Sequence, residues 1–90
     1  MAPPPRVFLS HSHRDRYFAT QLQTVLESSG GKTYLDQDNI QAGDILPERI
    51  TEGIIWCDVF LLFWSSSAAA STWVRRELDA AIKFRKKVIP

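Results

Sequence analysis

"DVFLLFW", residues 58 to 64, decides the fold. After Asp58 every side chain in it is apolar, and polar residues do not alternate with apolar ones. A short run of this kind is the pattern of a strand covered on both faces. Such strands belong to parallel sheets flanked by helices. Upstream, "RVFLS" (Arg6 to Ser10) is a second apolar run, stopping at the polar "HSHRD". "KTYL" (Lys32 to Leu35) is β-prone. "KVIP" at the end reads as the start of a fourth strand.

Helical spacing fills the intervals. Phe18, Leu22, Val25 and Leu26 form a stripe that Asp15 can cap and Gly30-Gly31 ends. Asp44 can cap a second helix running through Ile54, with Pro47 in its first turn and Leu46, Ile50 and Ile54 buried. "SSSAAAS" reads as a small-residue loop, and Val74, Leu78 and Ile82 then stripe a third helix. Strands alternating with helices imply a parallel sheet with right-handed crossovers. The expected class is therefore α/β, a flavodoxin-like three-layer sandwich around a central parallel sheet. Residues 1–5, rich in proline, are expected to be a mobile leader, and residues 6–90 the domain. A sheet cut at its fourth strand leaves apolar surface bare, so further domains in the same polypeptide are expected.

Composition narrows the function. Ninety residues make one small domain. A net charge of +1 gives no basic stripe for nucleic acid. The dense cations Lys83, Arg85, Lys86 and Lys87 are expected in the last turn of a helix, where they suit its dipole. The single cysteine, Cys57, sits in "IIWCD" and reads as buried filler in a reducing compartment. "MAPPPR" lacks a signal-peptide core, and Val59 to Trp64 is too short to span a bilayer. A cytoplasmic domain with no membrane partner is expected.

In such sheets ligands bind beyond the carboxyl ends of the strands, where the strand order reverses. His11 and Ser12, Asp36, and Ser65 to Ser71 follow the first three strands. "STWVRREL" (Ser71 to Leu78) then sets Trp73 and Glu77 on one face of a helix start. Asp79 can reach Arg75, Arg76 and Lys83, so it reads as solvated. Glu77 has only Trp73, Val74, Ala80 and Ala81 at helical spacing, so it does not. Several sites are excluded. No G-x-x-x-x-G-K-[ST] or G-x-G-x-x-G is present, and "SSGGK" precedes a strand instead of following one. The H-x-H of His11 and His13 lacks further ligands for a metal, so none is expected.

"VFLSHSHRD", "YLDQDNIQAGDILPERI", "DVFLLFWS" and "STWVRREL", in that order, resemble a Toll/interleukin-1 receptor (TIR) domain of bacterial type. The last resembles the W-x-x-x-E-L segment of its NAD-cleaving branch. The resemblance covers Arg6 to Pro90; the family's fifth strand and last helices, its C-terminal part, are missing from this chain. It implies hydrolysis of NAD at the nicotinamide–ribose bond, giving nicotinamide and ADP-ribose or a cyclic variant. NAD is then a substrate and no cofactor is needed. Glu77 is implied as the catalytic carboxylate, with Trp73 against the nicotinamide or ribose. His11, Ser12 and Ser71 are implied to bind substrate, and Asp36 to close the other wall. The resemblance also implies homo-oligomeric TIR–TIR assembly in immune signalling through a loop holding Ile40, Gly43 and Ile45. A different class stays open: a non-catalytic TIR adaptor docking through that loop. A nucleotide-sensing or nucleoside-processing domain of similar topology is a third reading.

Overall fold

The computed structural model describes residues 3–35 and 48–90. Asp36, the loop residues Ile40, Gly43 and Ile45, and the expected cap Asp44 with Leu46 and Pro47 lie outside the described residues. Among those described, β1 (Arg6–Ser10), β2 (Lys32–Leu35), β3 (Val59–Leu62) and β4 (Lys87–Ile89) form one parallel sheet. Its order is β2-β1-β3-β4, so the order reverses between β1 and β3 as expected. The third strand is shorter than residues 58–64, although the Phe63 N–H still donates to Ser10 O at 2.9 Å.

Alternation along β1 sends successive side chains to opposite layers. Phe8 faces Tyr34 and Phe60 in register, and the three rings stack across the strands at 5.2 and 5.4 Å. This stack carries the main core, with Ile50 and Ile54 of α2 (Glu48–Trp56) and Val74 and Ala81 of α4 (Thr72–Lys83). Gly53 lets α2 approach closely. A Cβ there would come within 3.2 Å of the Phe8 and Tyr34 rings. That contact accounts for a glycine inside a helix, where it costs about 0.5–1 kcal/mol relative to alanine.

The opposite layer holds α1 (Arg16–Ser28). Thr33 shares the Val7 face in register, and its hydroxyl accepts from Gln23 and donates to Glu27 of α1. The expected stripe of α1 is only partly inward. Ala19 is buried, Leu22 and Leu26 are half-buried, and Phe18 and Val25 are exposed. The helix packs against β2, the edge strand of the sheet, so part of its stripe is left uncovered. Phe18 reaches no deeper than a stack on Phe63 at 6.3 Å. Gly30, at φ +96°, does end the helix: its N–H meets Glu27 O, and the Gly31 N–H meets Leu26 O.

Three further expectations are corrected. "SSSAAAS" contains a short helix, α3 (Ser66–Ala69), because Ser65 Oγ accepts from the Ala68 N–H and starts it. In α4 the buried positions are Val74, Glu77 and Ala81, whereas Ile82 is 61% exposed. A small alanine lets the helix close on the sheet, and a carboxylate occupies a core position. The basic cluster does not crowd one helix end either. Lys83 closes α4 and Lys87 lies in β4, but Lys86 Nζ donates to Ile55 O and Cys57 O at 2.7 and 2.8 Å. Its charge therefore satisfies the carbonyl end of α2, the neighbouring helix. Cys57 is buried as expected, and burial pushes its thiol pKa up.

Candidate functional site

The reversal of strand order opens a cleft beyond the carboxyl ends of β1 and β3. It measures about 460 Å³ and is lined by Ser12, His13, Arg14, Ser66, Ser67, Ala70 and Ser71. That volume suits a small organic ligand. One wall is the loop after β1, tightened into a single 3-10 turn at His13–Asp15. The other runs from α3 to the start of α4. There Ser71 caps α4, its oxygen accepting from the Val74 N–H at 3.1 Å. A second hollow of about 390 Å³ shares Ala70 and Ser71 with the first and continues along Thr72, Arg75, Arg76 and Asp79.

Asp15 stands where a cap for α1 was expected, but its side chain makes no capping bond. Its Oδ2 accepts instead from Ser12 Oγ at 2.8 Å and from Ser65 Oγ. Sequence reading missed this role because Ser65 is far along the chain.

Glu77 does not line the cleft; it is joined to Ser10, two residues before the lining residue Ser12. It is 0% exposed, as is Ser10, and Ser10 Oγ donates to Glu77 Oε1 at 2.7 Å. A buried carboxylate is costly unless it is hydrogen-bonded. A bond to a charged acceptor recovers about 1.5–3 kcal/mol of that cost. The contrast with its neighbour is as the spacing required: Asp79 is exposed and pairs with Arg75 at 3.6 Å. Ser10 escaped the sequence reading as Glu77's partner. A polar residue closing an apolar strand was the available signal, but it does not say which residue Ser10 meets.

The expected site residues divide into three groups. Ser12 and Ser71 line the cleft. His11 and Glu77 are buried, and Trp73 is half-buried against the core. Asp36 lies outside the described residues. His11 is buried while His13 is exposed, so the H-x-H does not converge. No group of three or more His, Cys, Asp or Glu side chains among the described residues could hold a metal. No described helix is long and apolar enough to cross a membrane.

Comparison with known proteins agrees with this architecture. The TIR domain family model matches residues 7–90. A probable 2' cyclic ADP-D-ribose synthase of Brachypodium distachyon is 35% identical over 86 residues, 93% of this chain and 38% of that protein. An NAD(+) hydrolase of Paracoccus denitrificans is 26% identical over 94 residues, 99% of this chain and 31% of that protein. The chain thus spans less than two fifths of the length of either. Among solved structures, the TIR domains of the activated Roq1 resistosome superpose with a TM-score of 0.79 at 26% identity, over 96% of this chain and 55% of that one. Fold, strand order and family model agree: the chain belongs to the TIR domain family.

Proposed function

We propose that this chain hydrolyses NAD at the bond between nicotinamide and ribose, yielding nicotinamide and ADP-ribose or a cyclic form. The observation that carries the reading is Glu77, a carboxylate held by Ser10 in the core beside the switch-point cleft. The names of two relatives, a cyclic ADP-ribose synthase and an NAD hydrolase, support the substrate class.

The chemistry needs little more than one negative charge. Nicotinamide in NAD is already a cationic pyridinium and leaves neutral, without a proton. Ordinary glycosidases need a second carboxyl group to protonate the leaving oxygen. As the bond breaks, positive charge develops on the ribosyl carbon. Glu77 stabilises that charge, or attacks the carbon, from a site shielded from water. Water, or a hydroxyl of the same molecule, then completes the transfer and releases one proton. Trp73 covers the reacting end, and Ser12 and Ser71 hold the remainder of the nucleotide in the cleft.

Burial of Glu77 in the single chain fits an enzyme whose site opens on assembly. The reading therefore includes activation by TIR–TIR contact through the loop with Ile40, Gly43 and Ile45. It also includes a cytoplasmic setting, where NAD is abundant, and a role in defence signalling. A second reading is favoured by the same burial: a carboxylate sealed from the cleft suits an adaptor that only assembles. Incubation of the full chain with NAD, with assembly promoted and nicotinamide release followed by chromatography, separates the two. Nicotinamide release supports the enzyme. Assembly without release supports the adaptor.

A further inference from the structure

We propose that Asp15 is the positioning residue of the cleft, a single carboxylate oxygen that fixes the distance between its two walls. The inference rests on the reading that this cleft receives NAD. Three observations carry it, and none involves Glu77.

The first is the geometry of the clamp. Asp15 Oδ2 alone accepts from Ser12 Oγ at 2.8 Å and from Ser65 Oγ, fifty residues on. Ser12 belongs to the wall that follows β1, and Ser65 precedes α3 in the wall that follows β3. The second is that each serine carries its wall with it. The Ser12 carbonyl accepts the Asp15 N–H at 3.0 Å and closes the turn that presents His13 and Arg14. Ser65 Oγ accepts the Ala68 N–H at 3.0 Å and starts the helix that presents Ser66 and Ser67. The third is what Asp15 forgoes. At the cap position just before α1 an aspartate ordinarily accepts a helix N–H. Here it makes no such bond and turns to the two hydroxyls.

The clamp has a chemical consequence. Ser12 and Ser65 both spend their protons on Asp15, and one oxygen takes both. A carbonyl oxygen at the same point can do likewise. The role is thus one of shape, and asparagine can fill it whereas alanine cannot.

The test is steady-state kinetics of the full chain with NAD, beside thermal midpoints for each variant. Asp15→Ala is expected to raise KM about tenfold or more with kcat within about threefold, because misplaced walls weaken substrate and transition state alike. Asp15→Asn is expected to stay within about threefold of wild type in both constants, since the amide oxygen rebuilds the clamp. Ser65→Ala is expected to resemble Asp15→Ala, and the double variant to be no worse than the poorer single one. If Asp15→Ala fails to fold, Asp15→Asn and Ser65→Ala decide the matter between them. Unchanged KM in Asp15→Ala or Ser65→Ala, or an asparagine variant as impaired as the alanine one, overturns the clamp while NAD cleavage stands. A wild type that neither binds nor cleaves NAD overturns the functional reading and the clamp together.

Discussion

Ser10 and Glu77, separated by 67 positions in the chain, meet through a 2.7 Å hydrogen bond where both are 0% exposed. The contact ties the end of β1 to α4 and fixes the rotamer of a carboxyl group inside the core. Removing the donor should therefore act on stability as well as on chemistry. Ser10→Ala is expected to cost about 1–3 kcal/mol, the range for taking a hydrogen bond away from a buried polar group. In a domain of this size that lowers the thermal midpoint by several degrees. A cycle of Ser10→Ala, Glu77→Ala and the double variant, in which each single change removes the contact, should be non-additive by at least about 0.5 kcal/mol. Strict additivity would mean that the two side chains do not depend on each other.

The end of α4 carries a correctable strain. Arg85 is the residue with positive φ that is not glycine among those described, at 57°. Its N–H meets Ile82 O and the Lys86 N–H meets Ala81 O, a helix stop that favours glycine at the left-handed position. Its side chain is exposed, so little is lost by removing it. Arg85→Gly is expected to stabilise the domain by about 0.5–1 kcal/mol, the steric relief less the entropy of a looser unfolded chain. Denaturant titration of the two proteins reads the difference, and a lower midpoint in the variant contradicts it.

The start of β1 is fastened to the start of β3 by charge. Arg6 donates from its side chain to both oxygens of Asp58 at 3.2 and 2.8 Å, and from its backbone N–H at 3.0 Å. These bonds hold the Asp58 carboxyl down to about 2, from an ordinary 3.8. A folded pKa below the unfolded one gives stability that is present above about 3.8 and is lost as pH falls toward 2. The wild type should therefore lose more of its thermal midpoint than Asp58→Asn does between pH 4 and pH 2. Parallel curves for the two proteins would show that the pair contributes nothing. Both side chains are nearly half exposed, so the effect is small and shrinks in salt.

Local pattern made much of this molecule legible. Continuous apolar runs marked β1 and β3, and the alternation of strands and helices led to the parallel order. Spacing also separated Glu77 from Asp79, because an exposed carboxylate finds cations at three or four residues and a buried one does not. What stayed hidden depends on partners remote in sequence. Periodicity identifies the apolar stripe of α1 but not which edge of it the sheet reaches, so Phe18 and Val25 read as core and are exposed. Lys86 reads as a cation for its own helix, yet it serves α2. Asp15 has good capping chemistry, and only the approach of Ser65 turns its carboxylate away. Ser10 at the end of an apolar strand could face either layer until α4 brings Glu77 to it.

The decisive experiment concerns Glu77 itself. Glu77→Gln keeps the shape of the side chain and an oxygen that can accept from Ser10, but removes the negative charge. If that charge stabilises a cationic ribosyl centre away from water, its loss raises the barrier by at least about 3 kcal/mol, or roughly a hundredfold in rate. A neutral amide in the same place costs the fold little, since a carboxylate inside the core is itself held at a desolvation penalty. The expected result is a thermal midpoint close to wild type with NAD turnover all but abolished. Asp79→Asn is the control: two residues further along α4, exposed and paired with Arg75, it should leave turnover unchanged. Equal turnover in wild type and Glu77→Gln, in an assembled sample that cleaves NAD, would remove Glu77 from the chemistry. Its burial against Ser10 would then be a matter of packing alone.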